Sequence, residues 1–265
     1  MKKWIGVAGL IGVLAPAVAF AGTAQSGGDV LVDLPLQGGA RERVLIAAPA
    51  HPRGTIVMFP GGDGDVGLKS DGDIAHDANF VVRTRGLWND LGYAVVIPDT
   101  IDRDNLRGVR SSPGYARLVR DLVDLAHARL PGPVFLMGTS QGSIAAMNGA
   151  AHAQPGSIAG VVLTESVSVM GGSHETVFDA SPNLVRVPAL VVANRDDQCS
   201  VAPPADAPRL AAAMSGSRDV KVLMVAGGTT QSKSDCGSRT PHGYYGIENT
   251  VVPQIARWLD EHGQR

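Results

Sequence analysis

VFLMGTSQGSIAA, residues 134–146, is the stretch that decides the fold. An apolar run leads into Gly138-Thr139-Ser140-Gln141-Gly142, and small and aliphatic residues follow. This pattern predicts a strand, a sharp turn and a helix, with Ser140 at the turn. The two glycines leave room for a backbone path that is too crowded for a Cβ atom, so the Ser140 hydroxyl projects into a cleft. The amide N–H of Gln141 then lies at the start of the helix, where an oxyanion is stabilised.

The motif by itself has an alternative interpretation. With 33 glycines in 265 residues, a G-x-S-x-G pattern also arises by chance, and Ser140 would then be an ordinary turn residue. A strand-like run precedes the motif here and a helix-like run follows it, which is the context that a nucleophilic serine requires. We therefore interpret Ser140 as a nucleophile.

The composition is that of an ordinary globular protein. The net charge is −2 and 44% of the residues are hydrophobic. No basic cluster suggests a nucleic-acid partner, and no period suggests a repeat protein. The length suits one large domain with a substantial core.

The N-terminus has the pattern of a secretory signal peptide. Lys2 and Lys3 precede an apolar stretch over residues 4–20, which ends in Ala19-Phe20-Ala21. A positive start, an apolar core and an A-x-A site predict cleavage after Ala21. The alternative is a retained membrane anchor, since the stretch is just long enough to span a bilayer.

The resulting organisation is a signal peptide over residues 1–21, a linker over 22–28 and one domain over 29–265. We expect a periplasmic or extracellular protein without stable membrane association after signal cleavage. Cys199 and Cys236 are the only two cysteines. In an oxidising compartment an even count predicts a disulfide, which would stabilise the fold by roughly 3–4 kcal/mol.

Apolar runs and amphipathic segments alternate along the rest of the chain, which predicts an α/β fold. Because most runs are apolar throughout, we expect a mainly parallel sheet covered by helices on both faces. The clearest helix begins at Ser112-Pro113, an N-cap followed by proline. Besides the strand before Ser140, the predicted strands are 29–36, 41–49, 55–59, 93–99, 157–164, 187–194 and 219–226. The other predicted helices are 80–91, 206–214 and 249–261.

Parallel sheets place their chemistry at the carboxyl ends of the strands, which draws attention to three loops. The first, residues 60–64, is a glycine-rich turn after a buried strand. The N–H of Gly62, paired with that of Gln141, would form an oxyanion hole, with Asp63 as the alternative donor. The acidic residues that follow lack the spacing of a calcium loop, so we expect no metal.

The second loop supplies an acid and the third a base. Residues 194–199 follow a buried strand and carry Asp197, which we expect to orient an imidazole, with Asp196 as the alternative and Glu165 as a more distant candidate. His242 lies between the last strand and the last helix, where a general base fits; His174 is its rival. A bond between Cys199 and Cys236 would tie the acid loop to the base loop and hold both in register.

The order Ser140, Asp197, His242, together with the G-x-S-x-G motif, resembles the α/β-hydrolase superfamily over residues 30–262. Within it the chain is similar to small, lid-poor members such as dienelactone-hydrolase-like and carboxylesterase-like enzymes. The resemblance implies a single-domain fold with a sheet of about eight strands, one of them antiparallel, and acyl transfer to water through a serine ester without a cofactor. The chain departs from these relatives in two ways: residues 60–64 read PGGDG rather than HGGG, and dienelactone hydrolases use cysteine as the nucleophile.

The expected function is that of an exported serine hydrolase acting on small-molecule esters. Residues 165–186 are too few to form a helical lid, so we expect an open site that prefers short-chain or polar acyl groups. Two alternatives are an acyltransferase or amidase with the same triad, and a non-catalytic binding protein on a hydrolase scaffold. The sequence gives no indication of the oligomeric state.

Overall fold

The computed structural model of the protein describes residues 28–36 and 39–263. The predicted signal peptide, and the linker except for its last residue, lie outside the described residues. One sheet of eight strands forms the centre of the molecule. The strands are Val30–Pro35 (β1), Arg41–Ala47 (β2), Gly54–Phe59 (β3), Tyr93–Pro98 (β4), Val134–Thr139 (β5), Gly160–Thr164 (β6), Ala189–Asn194 (β7) and Val220–Val225 (β8).

The strand order in the sheet is β1-β2-β4-β3-β5-β6-β7-β8. β2 is antiparallel to both of its neighbours, β1 and β4. All the other pairs are parallel. The prediction of a mostly parallel α/β sheet with one antiparallel strand is confirmed. The apolar runs at the centre are completely buried because helices cover both faces.

Within residues 28–36 and 39–263, six α-helices pack on the two faces of the sheet. They are Phe80–Arg83 (α1), Arg85–Asp90 (α2), Pro113–Arg129 (α3), Gly142–Ala151 (α4), Ala207–Ala213 (α5) and Glu248–His262 (α6). Side chains of α3, α4 and α5 share one core cluster, for example Leu122, Ile144 and Leu210. Side chains of α1, α2 and α6 share the other, for example Trp88 and Trp258. Within the described residues, no helix is long and apolar enough to cross a membrane.

The structure confirms the start of one predicted helix and divides another into two. The N-cap of α3 is confirmed, since the Ser112 hydroxyl accepts a hydrogen bond from the amide of Tyr115 at 3.2 Å. The single helix expected over residues 80–91 is wrong, because the chain forms α1 and α2 with Thr84 between them. The Thr84 hydroxyl donates to the carbonyl oxygen of Phe80 at 2.7 Å and shares this acceptor with the Thr84 amide at 3.1 Å, and such a side-chain bond bends helices.

The register of the central strands places three loops at one edge of the sheet. Phe59, the last residue of β3, pairs with Gly138, and Thr139, the last residue of β5, pairs with Thr164 at the end of β6. The segments after β3, β5 and β6 therefore leave the sheet side by side. β7 continues two residues past Val192, the partner of Thr164, and ends at Asn194.

Candidate active site

Ser140 lies at the sharp turn between β5 and α4. Its φ angle is 52°, in the left-handed region that residues other than glycine rarely adopt. Two hydrogen bonds hold this turn. The Ser140 amide donates to Thr164 O at 3.0 Å, and the Ser143 hydroxyl donates to Ser140 O at 2.6 Å. The neighbouring strand and the first turn of the helix together maintain the strained backbone.

The two glycines of the motif permit contacts that no side chain would allow. A Cβ atom on Gly138 would lie 2.1 Å from the carbonyl oxygen of Gly142. A Cβ atom on Gly142 would lie 2.1 Å from the carbonyl oxygen of Phe59. Both are backbone atoms that cannot rotate away. The helix α4 therefore begins directly against the end of β3.

His242 and Asp197 form a buried hydrogen-bonded pair. His242 lies in a 3₁₀ turn, Pro241–Gly243, and its Nδ1 donates to Asp197 Oδ2 at 2.7 Å. The other carboxylate oxygen, Oδ1, accepts from the amide of Cys199 at 2.8 Å. With Nδ1 as the donor, Nε2 of the imidazole is an acceptor, and it has no partner among the described residues.

Ser140 and His242 line the same cleft, which has a volume of about 540 Å³. The cleft lies at the carboxyl edge of the sheet, between the loop after β3 and the segment that precedes α6. Polar and apolar atoms contribute about equally to its surface, and Phe80 is its one large apolar side chain. The lining residues are Gly61, Gly62, Asp63, Asp65, Ala75, His76, Asp77, Ala78, Asn79, Phe80, Thr139, Ser140, Cys236, Gly237, Ser238, Arg239, His242 and Gly243.

The glycine-rich loop after β3 runs close to Ser140. A Cβ atom on Gly61 would lie 3.1 Å from Cβ of Ser140. Gly62 and Asp63, the two predicted alternatives for the second oxyanion donor, both line the cleft. Gln141 follows Ser140 at the amino end of α4, and it is not among the residues that line the cleft.

A buried arginine donates hydrogen bonds to the backbone of this loop. Arg110 is 1% exposed, and its guanidinium donates to Gly62 O at 3.1 Å and to Pro60 O at 3.4 Å. Because peptides are planar and trans, the N–H groups of Gly61 and Asp63 point away from the guanidinium. Burial lowers the pKa of Arg110, but a guanidinium stays protonated in proteins. Arg110 was not identified from the sequence, in which it precedes a predicted N-cap.

Several solved structures have a fold similar to that of this chain. The chain is similar to a dienelactone hydrolase from Anabaena variabilis, with 15% identity, 91% of this chain and 100% of that chain covered, and a TM-score of 0.63. It is also similar to an esterase from Pyrococcus furiosus, with 9% identity, 89% and 92% coverage, and a TM-score of 0.64. No family model and no curated protein matches the sequence.

The chain has the α/β-hydrolase fold. A third similar structure is Est1E from Butyrivibrio proteoclasticus, at 14% identity, 89% and 98% coverage and a TM-score of 0.57. All these similarities cover nearly the whole described chain at low identity. They therefore establish the fold, on which many chemistries occur.

The sequence predicted no helical lid between β6 and β7. Here residues 165–188 contain two 3₁₀ turns, Val177–Ala180 and Pro182–Leu184, and no α-helix. Both turns have buried residues that pack toward α4. The segment is thus part of the body of the α/β-hydrolase domain and leaves the cleft open.

The disulfide between Cys199 and Cys236 is confirmed. Cys199 is buried two residues after Asp197, and Cys236 lies on the wall of the cleft. The bond therefore connects the segment that carries Asp197 with the segment that leads to His242.

The alternatives to Asp197 and His242 lie elsewhere. The Asp196 carboxylate accepts from the amide of Gly227 at 2.6 Å and faces the loop after β8. His174 is exposed and is not among the residues lining the cleft. The structure thus brings His242 together with Asp197 rather than with Asp196.

A second buried carboxyl group lies beside the pair. Glu165 follows β6 directly, is 1% exposed, and has one oxygen within 4.8 Å of Asp197 and His242 side-chain atoms. Burial raises the pKa of Glu165 well above its usual range, and the charge of Asp197 raises it further. The sequence had shown Glu165 only as a distant candidate for the acid. The neighbouring positions of β6 and β7 explain why the two carboxyls meet.

These three side chains also have the spacing of a small metal site. A metal would require the His242 nitrogen to be free of its proton, whereas Nδ1 is bonded directly to the Asp197 carboxylate. All three groups are buried, and the hydrogen bonds described above account for the arrangement of His242 and Asp197. The three side chains therefore fit a hydrogen-bonded cluster better than a metal site.

Proposed function

We propose that this protein is an exported serine hydrolase that cleaves carboxylic esters through Ser140, His242 and Asp197. The observation that carries the proposal is the buried 2.7 Å bond between His242 Nδ1 and Asp197, which leaves Nε2 as an acceptor in the cleft that Ser140 shares. The esterases and the dienelactone hydrolase among the similar structures support hydrolysis of an ester bond.

The reaction begins when Nε2 of His242 removes the proton of Ser140 as Oγ attacks the ester carbonyl. Asp197 stabilises the imidazolium that forms. The imidazolium then gives its proton to the departing alcohol, and an ester of Ser140 remains. Water attacks this acyl-enzyme with His242 again as the base, and release of the carboxylic acid restores the serine.

The developing oxyanion is stabilised by backbone N–H groups. The Gln141 amide supplies one of them from the start of α4. The loop after β3 supplies the second, from Gly62 or Asp63. Arg110 keeps this loop in place through its bonds to the carbonyl oxygens of Pro60 and Gly62.

The preferred substrates are short-chain or polar esters. A long acyl chain needs an apolar tunnel or lid to cover it, and Phe80 is the one large apolar side chain in the cleft. Polar side chains such as Asp65, His76 and Arg239 lie among small residues on the remaining walls. We expect p-nitrophenyl butyrate to be hydrolysed faster than the palmitate ester.

Export agrees with two properties of the chain. The disulfide persists in oxidising compartments, and the N-terminal sequence has the pattern of a cleavable signal peptide. The Cys199–Cys236 bond would thus form after transport.

Replacement of the nucleophile tests the proposal. Ser140→Ala is expected to abolish hydrolysis of p-nitrophenyl butyrate and labelling by a fluorophosphonate probe, with little change in the melting temperature. Ser157→Ala is the matched control, because Ser157 precedes β6 at the opposite edge of the sheet and its hydroxyl bonds only to Gln154 O. Retained activity or labelling in Ser140→Ala would contradict the proposed function.

A further inference from the structure

Two carboxyl groups face each other next to the imidazole of His242. One oxygen of Glu165, one oxygen of Asp197 and one ring nitrogen of His242 all lie within 4.8 Å of one another. Glu165 is 1% exposed and Asp197 is 4% exposed. The mechanism above uses Asp197 and gives Glu165 no role. A buried ionisable group beside the reacting side chains requires a physical explanation.

Two carboxylates this close in a buried site strongly disfavour double ionisation, and no lysine or arginine is among the groups that shift the pKa of Glu165. The other titratable groups that face Glu165 are the imidazole of His242 and the phenol of Tyr244. The imidazole is neutral in the resting site, since it must accept the serine proton. One of the two carboxyls therefore keeps its proton.

The hydrogen bonds indicate which carboxyl holds it. Asp197 accepts one bond at each oxygen, from the Cys199 amide and from His242 Nδ1. Glu165 accepts at Oε1 from the Asn194 amide at 2.8 Å, and its Oε2 is buried without a partner. Two donors stabilise the charged form of Asp197, whereas the second donor near Glu165, the Tyr244 hydroxyl, gives its one proton to Val192 O. The proton therefore belongs on Oε2 of Glu165.

We propose that Glu165 is a positioning residue that remains protonated at neutral pH and donates a hydrogen bond from Oε2 to the Asp197 carboxylate. The proposal rests on the proposed function, because positioning matters only if His242 acts as a base. Glu165 would add a fourth side chain to the proposed hydrogen-bonded series of Ser140, His242 and Asp197.

The backbone around Glu165 is suited to this role. Its φ angle is 41°, an unusual value for a residue with a long side chain, and its amide donates to Val192 O at 3.1 Å. The Tyr244 hydroxyl donates to the same carbonyl oxygen at 3.1 Å and closes the site from the His242 side. The strained turn after β6 thus directs the carboxyl toward the loop after β7.

The hydrogen bond from Glu165 to Asp197 has two expected effects on catalysis. It holds Asp197 in the orientation that His242 requires, so its loss lowers kcat more than it changes KM. It also spreads the negative charge of Asp197, so its loss strengthens the attraction between Asp197 and the imidazolium. A residue that served only to fill space would affect stability without changing the pH dependence of the reaction.

Two substitutions separate these possibilities. Glu165→Gln keeps an acceptor for Asn194 and a neutral donor for Asp197, and we expect kcat within about threefold of the parent. Glu165→Leu has a similar volume and no donor, and we expect kcat to fall at least about tenfold with KM changed less than about twofold. The acid limb of kcat/KM should move to higher pH in Glu165→Leu and stay in place in Glu165→Gln.

Infrared spectroscopy provides a test that does not depend on enzymatic activity. It requires only the parent protein and the conservative variant Glu165→Gln. At pH 7 the difference spectrum between the parent protein and Glu165→Gln should contain the C=O stretch of a protonated carboxyl, shifted in D₂O. Absence of this band would overturn the proposal, as would equal kcat values and equal acid limbs in the two variants. These outcomes differ from failure of the proposed function, in which Ser140→Ala would remain as active as the parent.

Discussion

The elbow at Ser140 and the acid–base region around His242 are built in different ways. The elbow is one continuous segment, from β5 through Gly142 into α4, and close backbone contacts determine its shape. The acid–base region combines the ends of β6 and β7 with the segment before α6, and buried charged groups and a disulfide hold it together. A substitution at the elbow glycines should therefore damage the fold, whereas one at the carboxylates of the acid–base region should damage the chemistry.

The largest expected effect comes from the acid–base region. Asp197→Asn removes the charge that stabilises the imidazolium and favours the wrong tautomer of His242, so kcat should fall by about 10⁴-fold. The melting temperature should change little, because the side chains have nearly the same shape. Steady-state kinetics and calorimetry measure the two quantities.

The neighbouring carboxylate provides the matched control for Asp197. Asp196 bonds to Gly227 and not to His242, so Asp196→Asn should keep kcat within about threefold of the parent. Equal losses in the two variants would mean that Asp197 has no special relation to the base.

A single added methyl group in the elbow should lower the stability of the protein. In Gly142→Ala the new Cβ would lie 2.1 Å from Phe59 O, so the start of α4 must move away from β3. We expect a loss of more than about 4 kcal/mol in the free energy of unfolding, together with loss of activity. Urea denaturation followed by circular dichroism measures the change.

Gly86→Ala is the matched control for that substitution. Gly86 lies in α2, and a Cβ atom there would have no neighbour within 4 Å. Alanine also favours the helix, so this variant should be neutral or more stable by about 0.5–1 kcal/mol. A similar loss of stability in the two variants would show that crowding at the elbow is not the cause.

The smallest expected effect comes from the disulfide. Replacing both Cys199 and Cys236 by serine should lower the free energy of unfolding by about 3 kcal/mol, because the unfolded chain gains freedom. The folded variant should keep kcat within about tenfold, since the residue 199 amide still donates to Asp197. An unchanged unfolding midpoint, or a loss of kcat as large as that of Asp197→Asn, would contradict this division between stability and chemistry.

Local sequence patterns predicted most of the elements, and the exceptions have local causes. The runs that became β3, β4 and β5 are apolar throughout because both sides of each strand are covered. The expected helix over residues 80–91 broke at Thr84, where a side-chain hydrogen bond shares its acceptor with the backbone amide. Such a bond depends on a rotamer, which the order of amino acids does not reveal.

The sequence by itself determined the strand–turn–helix at Ser140, the alternation of strands and helices, and the pairing of two cysteines, because each depends on residue type or on neighbours along the chain. Only the tertiary structure decided that His242 bonds to Asp197 rather than Asp196, that Arg110 lies behind the loop after β3, and that Glu165 faces Asp197. These contacts join residues on different strands and loops. Their geometry follows from the strand order and register of the sheet, which no local pattern contains.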